Sequence, residues 1–444
     1  MDFDLILKNG ICILPTGIFN KDIGIIDGLI KAIDNNLEHN KSKKVIDCNN
    51  KYIIPGVIDS QVHFRDPGLT HKEDIQTGSK SAVLGGVTTF LEMPNTTPPT
   101  TNREKLIEKI EIAKSKSFTN FGFFIGATEN NLSEILKLEG MTGLCGIKIF
   151  LGSSTGSLLL NDPKILRDLF IKTRIPIAIH SENEDLLQRR ISIQKCANHA
   201  KEHYKWRNVE TAFSATKKII EIAKETNRKI HLLHISSKDE MIWLQDKKEH
   251  CTVEVTPQHL YFDAPNCYEK LNTLVQMNPP IREEDHRTAL WEGVNNKTVD
   301  IIGSDHAPHT LTDKNRSYPL SPSGMPGTQT MLPIMLNFVN IGKLEMTDLV
   351  RLLCKNPAKL YGLKNKGELS INKDADITII DLHKKYTILN ENMASKCGWT
   401  PYHGDKMQGM PTTTIISGNI VVENGKLVSN DPIKNLSKPI TQHR

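Results

Sequence analysis

The sequence predicts an α/β fold: a (β/α)8 TIM-type barrel that carries a small β-sandwich domain built from both chain ends. Three observations lead there. Eight short apolar runs recur through the middle of the chain. Amphipathic stretches of helical period separate most of them, such as REKLIEKIEIAKSK, PKILRDLFIKT and AFSATKKIIEIAKET. The two ends have a different texture, of short strands and tight turns. Alternating strand and helix implies a parallel sheet, and eight such units in about 300 residues is the count of a closed barrel. A doubly wound open sheet is the alternative.

Taken in order, the first 54 residues read as strands LILKNGICIL, DIGIIDGLIKAI and KVIDC, with Asp27-Gly28 as a hairpin signal. The barrel strands follow at 55–59, 86–93, 120–127, 146–152, 175–182, 229–236, 252–258 and 300–308. Strand texture returns at 374–382 and 412–428, with Gly-Asn and Asn-Gly turns. The expected units are 1–54 plus 365–430, a barrel over 55–364, and a flexible tail over 431–444.

Composition narrows the function classes. The chain is 38% hydrophobic and 24% charged, with a net charge of +5 spread over scattered lysines. That argues for a soluble enzyme and against a nucleic-acid partner. No apolar run reaches the roughly 20 residues of a membrane span, and MDFDLILKNG has no signal-peptide pattern. Eight dispersed cysteines without a CxxC pair point to the cytoplasm, and away from a disulfide scaffold or a thiolate zinc site.

In such barrels the chemistry sits at the C-terminal strand ends. The run IIPGVIDSQVHFRDPG ends a strand and aims Gln61, His63 and Arg65 to one side, because strand side chains repeat every two residues. His180, His234 and Asp305 occupy three further strand ends. Lys148 is flanked by Ile147 and Ile149 in a buried strand. A buried ammonium must pair, deprotonate or be altered; it pairs with a carboxylate such as Asp305, or reacts with CO2 to form a carbamate that bridges metal ions. Histidines and carboxylates without thiolates suit Zn2+.

With these segments in view, the chain resembles the class I dihydroorotases of the amidohydrolase superfamily. The likeness rests on QVHFRDPG (61–68), MPNT (93–96), GIKIF (146–150), HSE (180–182), LLHIS (232–236), QMNPPIR (276–282), SDHAPHT (304–310) and SGMPG (323–327). It implies one or two zinc ions held by His63, a carbamate on Lys148, His180, His234 and Asp305, with Asp305 also moving the proton. It implies that Arg65, Asn95 and His309 grip a substrate carboxylate, and that Asn278, Ser323 and Gly324 touch the ring. The small-molecule substrate pair would be dihydroorotate and N-carbamoyl-aspartate, and the assembly a homodimer. One position departs: Gln61 stands where the family pattern has the first histidine of His-x-His, and an amide oxygen is a poorer zinc ligand than imidazole. Two rivals follow. One is a hydantoinase- or allantoinase-like cyclic amidase. The other is a non-catalytic scaffold bound to aspartate carbamoyltransferase.

Several further features are read without a site role. His199 and His203, in the polar stretch NHAKEHYKWR, are expected at the surface or an interface. His231 is expected to be structural. Arg65 has a rival reading as an ion pair with Asp66 or Glu92. The loop 309–327, which contains three prolines, is a candidate lid.

Overall fold

A computed structural model describes residues 2–154, 158–433 and 436–442. From the N-terminus come β1 (Phe3–Leu14), β2 (Gly17–Ile26), β3 (Leu29–Asp34), β4 (Ser42–Asp47) and β5 (Tyr52–Pro55). The barrel strands are β6 (Val57–Val62), β7 (Val87–Glu92), β8 (Asn120–Gly126), β9 (Leu144–Phe150), β10 (Ile177–His180), β11 (Ile230–Leu232), β12 (Cys251–Val255) and β13 (Ile301–Ile302). The chain returns through β14 (Ile377–Thr387), β15 (Lys406–Ile416), β16 (Asn419–Glu423) and β17 (Lys426–Leu427).

All eight expected barrel strands form, and β6 to β13 pair in chain order. Their pairings are parallel. Closure comes from Val62 against His306, with His63 N donating to His306 O at 2.7 Å. These strands are buried on both sides, so they read as continuous apolar runs. The helices between them start where the sequence supplies a cap. Asn102 accepts from Lys105 N ahead of Arg103–Lys116, Asp162 from Lys164 N ahead of Pro163–Lys172, and Asn208 from Thr211 N ahead of Val209–Glu225.

The chain ends meet in a nine-stranded mixed sheet. Their junction is β5, which runs parallel to β1 (Ile11 opposite Tyr52) and antiparallel to β14 (Ile53 opposite Ile379). Leu5, Ile23 and Ile53 share one buried cluster with Ile377 and Ile415. The Asp27-Gly28 hairpin forms with both residues at positive φ, 51° and 75°, the geometry a two-residue hairpin turn needs.

Of the expected flexible tail, 431–444, residues 431–433 are largely exposed and 436–442 are anchored; 434–435 and 443–444 lie outside the described residues. Leu436 and Ile440 are buried. Phe121 N donates to Lys438 O at 3.1 Å, and Ile440 N to Phe121 O at 2.9 Å, beneath the start of β8. Apolar side chains at the open N-terminal end of the barrel give the segment a place to bury its own.

Candidate active site

Eleven of the twelve sequence-predicted site residues line one pocket at the C-terminal ends of the barrel strands: Gln61, His63, Arg65, Asn95, Lys148, His180, His234, Asn278, Asp305, Ser323 and Gly324. The twelfth, His309, stands behind Arg65, its Nε2 3.4 Å from Arg65 Nη2. Arg65, His234 and Asp305 have φ of 64°, 38° and 44°. Side chains other than glycine rarely adopt such angles, and they concentrate where a site over-determines the backbone.

His63 and Asp305 face each other, Nε2 to Oδ1, at 3.2 Å, and Gln61 Nε2 donates to the same Oδ1 at 2.9 Å. His180 Nδ1 lies 3.1 Å from His234 Nε2. The outward nitrogens are tied back. His180 Nε2 donates to Glu182 Oε2 at 2.8 Å, and His63 Nδ1 donates to Asn95 Oδ1 at 2.6 Å. A carboxylate can only accept, so His180 turns the lone pair of Nδ1 inward; His63 Nε2 is placed likewise. Burial holds His63 and His180 below the usual imidazole range, and His234 well below it. Gln61 Oε1 is buried with no hydrogen-bond donor among the described residues.

Neutral imidazoles with inward lone pairs, held by outer acceptors, match how metal-binding histidines are oriented. Among the described residues, no three His, Cys, Asp or Glu groups by themselves converge closely enough to hold an ion. What stands between the two pairs is a lysine. Lys148 is 1% exposed, and no carboxylate of the described residues reaches ion-pair distance of it. The alternative ion pair with Asp305 is therefore not formed. Burial pushes the Lys148 amine down to about 7, against the pull of Asp305 and Glu254.

Arg65 resolves in the same way. The rival partners are taken: Glu92 pairs with Lys109 at 2.6 Å and Asp66 with Lys116 at 3.7 Å. Arg65 Nε donates to Pro308 O at 3.2 Å, and no carboxylate of the described residues pairs with it. Burial lowers its guanidinium to about 10, so it stays charged at neutral pH. Lys72 Nζ lies 3.1 Å from His309 Nδ1, adding positive charge to this end of the pocket.

Glu182, Arg207, Lys314 and His203 are buried groups that the sequence reading did not place here. Burial pushes Glu182 up, but Arg207 and His180 together hold it far below the usual carboxylate range; Arg207 Nη2 donates to it at 2.5 Å. Glu182 follows His180 directly, which was the available signal. Lys314 is fully buried, donating to Gln276 O and Pro322 O at 3.2 and 2.8 Å. His203 overturns its surface reading: it is 1% exposed and contacts Asn278. His231 is buried as a structural residue, on Thr252 and Glu254. The loop over 309–327 is packed down through Lys314, Tyr318 and Ser321.

Comparison with known proteins places the chain in a family. Residues 52–421 match the Amidohydrolase family. A dihydroorotase of Pyrococcus abyssi is 35% identical over 414 residues, 93% of each chain. One from Methanothermobacter thermautotrophicus is 31% identical over 433 residues, covering 97% of this chain and 96% of its own. The solved L-hydantoinase (dihydropyrimidinase) of Arthrobacter aurescens superposes with a TM-score of 0.93 at 29% identity, over 96% of this chain and 98% of that one. The chain belongs to the amidohydrolase family, and within it to the group whose curated relatives are named dihydroorotases.

Proposed function

We propose that this enzyme catalyses the reversible hydrolysis of the cyclic amide of dihydroorotate to N-carbamoyl-aspartate. The carrying observation is Arg65: a buried guanidinium with no carboxylate partner among the described residues, lining the same pocket as Lys148, His180, His234 and Asp305. A guanidinium fork holds a carboxylate bidentately. Dihydroorotate bears a ring carboxylate; hydantoin and allantoin do not, so the clamp favours the first reading over the hydantoinase one.

The donors that would hold one or two zinc ions are His63, His180, His234, Asp305 and a carbamate on Lys148, with Gln61 Oε1 as the weakest. A divalent ion there supplies Lewis-acid polarisation and a water that ionises near neutral pH. The remaining chemistry is the chain's own. An uncharged amine is the form that adds to CO2, and burial brings the Lys148 amine to about 7. Asp305 accepts the proton of the attacking water and delivers it to the leaving ring nitrogen. In the synthetic direction the same carboxylate carries the proton the opposite way. Arg65 and His309 fix the carboxylate, while Asn278 and Ser323 face the ring.

Two coarser readings accompany this. All eight cysteines are free, which supports a reducing compartment such as the cytoplasm, and no helix of the described residues can cross a membrane. A homodimer remains the proposed assembly. The test is turnover of dihydroorotate, hydantoin and allantoin by zinc-loaded, bicarbonate-treated protein, beside Lys148→Ala. Dihydroorotate should be converted by wild type and not by the variant; turnover of allantoin alone sinks the assignment.

A further inference from the structure

His203 is a buried histidine behind the pocket wall, in contact with Asn278, that no step above uses. Its Nε2 lies 2.8 Å from Asn278 Oδ1 and 3.1 Å from the backbone oxygen of Met277. A backbone carbonyl can only accept, so Nε2 carries the proton. Nδ1 is then an acceptor, and Tyr318 Oη donates to it at 3.3 Å. The imidazole is held neutral by burial and by nearby Arg207, its pKa brought to about 3.

The tautomer has a consequence for the wall. With Nε2–H on its oxygen, the Asn278 amide must present its nitrogen to the pocket, where Nδ2 lies 3.4 Å from Ser154 Oγ. Ser323 Oγ is constrained in parallel. Gln276 Nε2 donates to it at 3.0 Å and to Ser321 O at 3.0 Å, which fixes that amide too. Nε2 of His203 lies 3.4 Å from Ser323 Oγ, with its single proton directed at Asn278 Oδ1 and Met277 O. The hydroxyl oxygen is engaged as an acceptor, so its hydrogen is left to donate.

We propose that His203 is a positioning residue that sets the hydrogen-bond polarity of this wall at Asn278, turning its N–H inward beside the Ser323 hydroxyl that Gln276 engages, so that the wall takes a ring edge offering carbonyl oxygens. This rests on the proposed function only in assigning Asn278 and Ser323 to the substrate ring. Tyr318 belongs to the loop over the pocket, so the same imidazole ties that loop to the wall.

The test is a double-mutant cycle on the zinc-loaded protein, read by calorimetric Kd for dihydroorotate together with KM and kcat. His203→Phe should weaken Kd and raise KM at least about tenfold, with kcat within about threefold. His203→Gln, whose amide N–H can replace Nε2–H, should restore both to within about threefold. On an Asn278→Ala background, His203→Phe should cost less than about twofold more. The proposal is overturned if kcat falls and Kd does not move, if folded His203→Gln fails to restore binding, or if the tenfold cost persists without Asn278. Should His203→Phe not fold, the near-isosteric Asn278→Asp, which only accepts, must itself weaken Kd about tenfold; an unchanged Kd overturns the proposal. Wild type that binds dihydroorotate without turning it over refutes the proposed function and leaves this inference standing on Kd. Wild type that does not bind it overturns both.

Discussion

Replacing Arg65 with methionine keeps most of the side-chain volume and removes the guanidinium. If the clamp reading is right, the substrate carboxylate loses two charge-assisted hydrogen bonds, at about 1.5–3 kcal/mol each. That gross loss of about 3–6 kcal/mol is an upper range. In the free protein Arg65 is already strained electrostatically, because burial lowers it to about 10 and no carboxylate of the described residues pairs with it. Removing it relieves that cost, so the low end applies: about 3 kcal/mol, or roughly a hundredfold in kcat/KM at 1.36 kcal/mol per decade. Pro308 O also loses its donor, for about 1 kcal/mol of stability. The assay is kcat/KM for dihydroorotate, with hydantoin as the substrate that has no ring carboxylate, and Tm to confirm folding. A loss under about threefold, or an equal loss on both substrates, refutes the carboxylate clamp.

Three other outcomes follow from the same geometry. Glu182→Gln leaves Arg207 buried with its charge uncompensated and should cost about 3–5 kcal/mol in denaturant unfolding; an unchanged midpoint contradicts the reading. Gly68→Ala places a Cβ 1.9 Å from Thr97 O at a φ of +92°, so it should destabilise by at least about 2 kcal/mol and disturb Arg65, three residues away. Stability should fall in mild acid. Burial holds His203 and His259 neutral, near 3 and 4. Their contribution is full above the unfolded value of about 6.5 and is lost as pH falls towards the folded values, by up to about 1.4 kcal/mol per pH unit for each. Urea midpoints between pH 7 and pH 5 should therefore decline, and less so in His203→Gln; a flat profile contradicts this.

The barrel was legible because parallel strands buried on both faces must be apolar throughout, and runs such as NFGFFIGA have no other economical use. The candidate donors at His63, His180, His234 and Asp305 stood out because each breaks such a run at or near its end. Lys148 stood out because an ammonium between two isoleucines has to be accounted for. His203 was not legible: its neighbours Lys201, Glu202 and Lys205 are polar, and only the tertiary packing of Tyr318 and Met277 buries it. The packing of the tail was hidden for a similar reason: Ile440 is an isolated apolar residue whose backbone partner, Phe121 on β8, lies more than 300 positions away, and Leu436 is buried among Val83, Phe118, Ile416, Val421 and Val422. Nor does any local pattern announce that Arg65, His234 and Asp305 take left-handed backbone angles.

The central claim is that Lys148, His180, His234, His63 and Asp305 form one metal centre facing an arginine clamp for a ring carboxylate. Its most direct test is product analysis after zinc-loaded, bicarbonate-treated protein meets dihydroorotate. The account predicts N-carbamoyl-aspartate from wild type and none from Lys148→Ala. Hydantoin opened while dihydroorotate is left intact, or equal turnover by the two proteins, would contradict it.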